Sequence, residues 1–119
     1  MSSLQDADKE AAAVAVAPRV ALADIEGAIA CRYDTTGARA VRSPNGEAVP
    51  EHPSLDVLSI CILVMRNGFT IIGKSAPASA ANFNADLGRK LAYEDAVRQI
   101  WSLMGFALRD KLAAGHATG

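Results

Sequence analysis

Residues 58–76, LSICILVMRNGFTIIGKSA, leave few folds open. Two apolar segments rich in β-branched residues flank Asn67-Gly68, a pair suited to a type I′ turn because both positions accept positive φ. The pattern predicts a β-hairpin with strands at about 58–66 and 69–75. With that turn, Arg66 opposes Phe69, Val64 opposes Ile71 and Leu63 opposes Ile72. Side chains alternate along a strand, so Ile60, Ile62, Val64 and Ile71 share one face, and Cys61, Leu63, Met65 and Ile72 the other. Both faces are apolar, which calls for cover on both sides by helices, further strands or another subunit. Two strands alone are marginal in water. The hairpin therefore implies either extension of the sheet by residues near 38–42 or pairing across a homo-oligomer.

The flanking segments are read in the same way. Residues 1–19 carry small side chains that bury little area per ordered residue, and they read as a flexible Ala-rich arm; the alternative is an Ala-rich helix over 5–16 that orders against a partner subunit. Leu22, Ile25 and Ile29 recur at helical spacing, with Asp24 and Glu26 in the early turns, which predicts a short helix over about 20–31. Gly37, Pro44-Asn45-Gly46, Pro50 and Pro53 then mark a long irregular connection, of the kind that tends to be functional or mobile. Past the hairpin, Ser79 or Asn82 is a candidate helix cap. Phe83, Leu87, Leu91, Ile100, Met104 and Leu108 form the stripe of a long helix over about 82–113, in which Gly105 marks a bend, a break or a close approach. The HATG end is expected to fray. The fold class is α+β: a single domain over 20–115 with a short N-terminal helix, a central antiparallel hairpin in a small sheet, and a long C-terminal helix.

At 119 residues with half of them apolar, one modest core is expected. Twelve basic residues against thirteen acidic ones create no global field toward nucleic acid or an anionic membrane, so an anion site must be local. Acidic Asp86, Glu94, Asp95 and Asp110 interleave with the basic residues of the helix, a pattern of surface pairing that disfavours nucleic-acid binding. No segment has the length of a membrane span, and Cys31 and Cys61 read as free thiols in a reducing cytoplasm. His52 and His116 are the sole histidines, too few for a His-based triad or a zinc site, and Glu51, His52 and Asp56 read as loop residues rather than metal ligands. Gly68 to Ser75 formally spells G-x-x-x-x-G-K-S. Its four spacer residues are Phe, Thr, Ile and Ile, a strand rather than a phosphate-cradling nest, and Ala76-Pro77-Ala78 interrupts the helix that should follow. The expectation is a protein that is not an enzyme and carries neither cofactor nor metal.

His52-Pro53, Asn67-Gly68-Phe69-Thr70, Gly73-Lys74-Ser75-Ala76, Asn82-Phe83, Leu87-Gly88-Arg89-Lys90, Tyr93-Glu94-Asp95-Ala96, Ile100-Trp101 and Gly105-Phe106-Ala107-Leu108-Arg109 together carry a resemblance. With VALADIEGAIA at its start, the chain over roughly 20–112 resembles a family of small tailed-phage proteins typed by gene forty-nine of coliphage N four and gene sixty-six of Shigella phage Sf six. The arm and Ala78-Ser79-Ala80-Ala81 depart from the family's pattern. The resemblance implies an accessory phage product acting in the cytoplasm of the bacterial host, with no enzymatic mechanism to carry over. By analogy with oligomeric phage sponges, it suggests countering host antiviral defence by sequestering a cyclic nucleotide or cyclic ADP-ribose signal. The alternative is a protein-interaction factor that binds and inhibits or redirects a host protein.

A phosphate needs convergent donors, and Lys74, Ser75, Ser79, Asn82 and Arg89 lie in or just after the strand-to-helix connection. A base needs a flat partner, which Phe69, Tyr93 or Arg66 offers. Those eight residues are the candidate ligand-binding set. For most of them a plainer role competes: Asn82 and Ser79 as caps, Arg89 as a solvated side chain.

Overall fold

The computed structural model describes residues 3–43 and 45–117. Its elements in chain order are helices α1 (Ser3–Val14) and α2 (Leu22–Ala28), strand β1 (Ile29–Thr36), the short helical turns α3 (Gly37–Ala40) and α4 (Pro53–Asp56), strands β2 (Ser59–Met65) and β3 (Thr70–Ser75), a 3₁₀ turn (Ala80–Asn82), and the long helix α5 (Ala85–Ala117). The fold is α+β, an antiparallel sheet of order β1-β2-β3 with α5 laid across one face.

The hairpin forms where expected, but its register differs by one residue. Leu63 opposes Ile71, Ile62 opposes Ile72 and Val64 opposes Thr70. The connection is a three-residue loop: Gly68 N–H donates to the Met65 carbonyl, Met65 N–H to the Phe69 carbonyl, and Gly68 alone has positive φ, at 90°. This is a turn closed by a glycine bulge rather than the type I′ pair. Asn67 Oδ1 accepts the Phe69 N–H at 2.9 Å, which holds the asparagine in its ordinary conformation. Ile71 consequently joins Cys61, Leu63 and Met65 on the inner face, and Ile72 joins Ile60, Ile62 and Val64 on the outer one.

The third strand is Ile29–Thr36, not residues 38–42, and the expected helix over 20–31 stops at Ala28. Ala30 is bulged out of the pairing with β2 between Ile29 and Cys31. Beyond the bulge, β1 sends Arg32 and Asp34 to the inner face, opposite Leu63 and Cys61. Asp24 accepts the Ala21 N–H at 2.8 Å and so caps α2, and Arg66 clamps the far end of that helix through its Nε–H to the Gly27 carbonyl at 2.7 Å.

The core lies between the inner face and α5. Cys61, Leu63, Ala92, Ala96 and Val97 are fully buried, with Ile71 and Ile100 beside them. Gly73 makes this closeness possible: a Cβ there would lie 2.6 Å from the Ala96 nitrogen. At the outer edge of β3, Asp95 accepts the Lys74 N–H and Gln99 Nε2 donates to the Ile72 carbonyl, so α5 satisfies backbone groups that an edge strand usually leaves open. Helix α1 packs on its own chain through buried Leu4, and Asp8 accepts both the Leu22 N–H and the Arg19 guanidinium. Trp101 ties α5 to the same region by donating to the Val20 carbonyl at 3.0 Å.

Helix α5 starts three residues later than expected. Its cap is Asn84, whose Oδ1 accepts the Leu87 N–H, rather than Ser79 or Asn82. It runs unbroken through Gly105 to Ala117. Residues 118 and 119 of the tail expected to fray lie outside the described residues, as do Met1, Ser2 and Pro44.

Among the described residues, no helix packs over the outer face of the sheet. Tyr33 and Ile72 are more than half exposed, and Ile60, Ile62 and Val64 are half-buried. The expectation of shielding on both sides is thus met within one chain on the inner side alone.

Candidate functional site

The structure scatters the eight candidate ligand residues. Arg66 and Phe69 stand at the hairpin turn, beside an apolar groove of about 490 Å³ lined by Met65, Ile71, Ile100, Leu103 and Met104. Ser75 and Asn82 sit at the opposite end of the sheet, on a cavity of about 90 Å³ next to Phe83. Arg89 lines a neighbouring depression, Ser79 precedes the 3₁₀ turn, and Lys74 is on the outer face. Tyr93 lies under Arg32, whose guanidinium carbon is 4.3 Å from the ring centre. Burial pushes the Tyr93 phenol above its ordinary range, with the charge of Glu26 adding to the effect. A ring buried in this way reads as structural support for the polar inner side of β1.

The sequence-level expectation that Gly68–Ser75 is not a phosphate loop agrees with the geometry of that segment. Thr70–Ser75 is strand, and Gly73 is pressed against α5 with no room for a ligand. His52 Nδ1 accepts the Ser54 N–H at 3.1 Å and caps the turn that follows it. Cys31 and Cys61 are free thiols on opposite faces of the sheet, and burial raises the pKa of Cys61.

What the sequence did not single out is Arg39. Thr36 Oγ1 accepts the Arg39 N–H and so caps the turn that carries this arginine. Its side chain borders two concavities at once. One is a depression of about 70 Å³ shared with Asp34, Thr35, Thr36, Ser59, Phe83, Ala85 and Arg89 at the N-terminal end of α5, in which the Asp34 carboxylate is paired with Arg32. The other is an open cavity of about 690 Å³, lined by Arg42, Val49, Pro50, Glu51, His52 and Asp56 among others. The smaller space suits a phosphate-sized group, whereas the larger falls within the roughly 300–1,000 Å³ of small-molecule sites. Arg89 reaches the depression while paired with Asp86 one turn earlier in α5. Among the described residues, Arg39 has no ion pair. The available signal was the length of the connection itself, since a long loop within a compact domain tends to carry function.

The model of the phage protein family typed by N4 Gp49 and phage Sf6 gene 66 matches residues 20–112. The chain belongs to this family. The match opens just before α2 and closes within α5, so it spans the residues of the whole sheet and of the loop cavity, while α1 lies outside it. No curated protein and no solved structure matches the chain. No helix among the described residues is long and apolar enough to cross a membrane.

Proposed function

We propose that this phage protein is a non-enzymatic accessory factor that acts in the cytoplasm of the bacterial host and counters antiviral defence by sequestering a cyclic nucleotide or cyclic ADP-ribose signal. The observation that carries the reading is the position of Arg39, which has no ion pair among the described residues and lines both a nucleotide-sized cavity and a phosphate-sized depression. A phosphate there meets Arg39 and the Thr36 hydroxyl, with the positive end of the α5 dipole behind them. Arg89 joins if the anion displaces Asp86. The base and ribose occupy the loop cavity against Val49, Pro50 and His52. Ser75 and Asn82 lie across Phe83 from this position and contribute only to a ligand that extends past the ring.

Thermal shift with a panel of cyclic dinucleotides, cyclic trinucleotides and cyclic ADP-ribose isomers tests it. A ligand at a hundredfold its Kd adds about 2.7 kcal/mol of stability. The shift is expected for at least one panel member and should be lost in Arg39→Ala. A shift that survives Arg39→Ala unchanged removes the proposed site.

A second reading, a factor that binds and inhibits or redirects a host protein, draws support from the distal half of α5. Phe106 is 70% exposed there, next to Leu103 and the groove at the hairpin turn. No shift with any panel member favours it.

A further inference from the structure

The two edges of the sheet differ. Asp95 and Gln99 of α5 bond to the backbone of β3, so that edge is closed. Among the described residues no strand pairs with the far edge of β1, and residues 30–34 of that strand are all exposed. An open edge offers its row of N–H and C=O groups to another strand. Because α5 packs over β3 and β2, the inner side of β1 has room for one.

The charges on β1 say which strand fits. An edge that must stay solvated usually carries charge of one sign, most often lysine, which repels a second copy. Strand β1 instead carries opposite charges two residues apart on its inner face, Arg32 and Asp34, 3.1 Å from each other. That spacing is self-complementary. If two copies of β1 run antiparallel with Tyr33 opposite Tyr33 of the second copy, Arg32 of each chain faces Asp34 of the other. Centring the pair on Arg32 or on Asp34 sets like charges directly opposite, which is destabilising. Moving the axis further leaves both charges facing uncharged residues. The bulge at Ala30 confines the matched stretch to residues 31–35, with Cys31 facing Thr35 of the second copy.

We infer that β1 is a homodimerisation edge, at which two copies pair antiparallel about Tyr33 and join their sheets into one of six strands. Two arginines and two aspartates then alternate around the two-fold axis. The inference does not rest on the nucleotide reading, and no nucleotide enters its test.

Light scattering on the full chain across a concentration series reaching tens of micromolar tests it, with Arg32→Asp and Asp34→Arg alone and mixed. The wild type is expected at twice the chain mass. Arg32→Asp makes both charged positions negative and Asp34→Arg makes both positive, so each alone should dissociate at least about tenfold more readily. Mixed one to one, the two variants should recover a dimer as tight as the wild type, because every negative position then faces a positive one. An Arg32–Asp34 pair that serves the single chain alone predicts no such recovery. Should either variant lose the wild-type circular dichroism, cross-linking decides. In a Cys31→Ser background, Tyr33→Cys should oxidise with copper phenanthroline to a covalent dimer, its opposed Cα atoms being about 4.5–5.5 Å apart. Thr35→Cys in the same background, offset from its own copy by about 13 Å along the strands, should not. A monomeric wild type, single variants as dimeric as the wild type, no dimer in the mixture, or equal cross-linking at both positions would each overturn the inference.

Discussion

The contact between Gly73 and α5 sets how closely helix and sheet approach, and Gly73→Ala tests it. The added methyl overlaps the Ala92 carbonyl oxygen and lies 2.6 Å from the Ala96 nitrogen and 2.8 Å from the Ala96 Cβ. These atoms are helix backbone or fixed directly to it, so no rotamer change relieves the overlap. The helix must lift from the sheet, loosening the packing of Cys61, Leu63, Ile71 and Val97. Overpacking a core by a methylene-sized group costs about 1–3 kcal/mol, and a clash with backbone belongs at the top of that range. The gain from replacing glycine in a strand, about 0.5–1 kcal/mol, offsets part of it. The net loss should be about 2 kcal/mol, or a Tm lower by about 6–12 °C for a domain of this size. Gly105→Ala is the internal control, since nothing lies within 4 Å of the new methyl. In mid-helix it should raise stability by about 0.5–1 kcal/mol. Urea unfolding followed by circular dichroism, at one protein concentration throughout, measures both. If Gly73→Ala proves as stable as wild type, or if both substitutions destabilise alike, the packing of α5 on β3 is not as described.

Two further outcomes follow from polar contacts. The Asp8 carboxylate is held below the ordinary carboxylate range, first by the Leu22 N–H and then by Arg19. The unfolded chain thus binds the proton more tightly, and the contribution of Asp8 is full above about pH 5 and fades as pH falls through the lowered native pKa. Melting curves should therefore show wild type above Asp8→Asn near neutrality, with the gap closing as pH falls below the ordinary carboxylate range; a gap that widens in acid contradicts the assignment. Asn84→Ala removes the cap of α5 and should cost about 1 kcal/mol, whereas Asn82→Ala should cost much less. Chemical denaturation of the pair distinguishes them, and equal losses would return the cap to Asn82.

The hairpin and the long helix were legible because their signals are local: β-branched runs around Asn67-Gly68, and an apolar stripe repeating every three to four residues. The register was not, because Asn67 and Gly68 fit either a two-residue or a three-residue loop, and the Asn67 side chain decides between them. Strand β1 was hidden for a different reason. Leu22, Ile25 and Ile29 share helical spacing although Ile29 already belongs to the strand, and the inner face of β1 carries Arg32 and Asp34 where an apolar alternation would have marked it. The cap was missed because Phe83 continues the apolar stripe two residues upstream of the real helix start. Of the candidate site, sequence placed Ser75, Asn82 and Arg89 near the start of α5 but had no means of bringing Arg39 to Arg89. That proximity is created by β1 ending beside β2, which depends on long-range pairing.

Sequestration without chemistry is the central functional claim, and recovery of the bound molecule tests it most directly. The protein would be equilibrated by dialysis with whichever panel nucleotide raises its Tm, separated from free ligand, heat-denatured, and the released material identified by mass spectrometry. The account predicts that the nucleotide returns intact and in stoichiometric amount. Recovery of a cleaved product, or of no nucleotide at all, would contradict it.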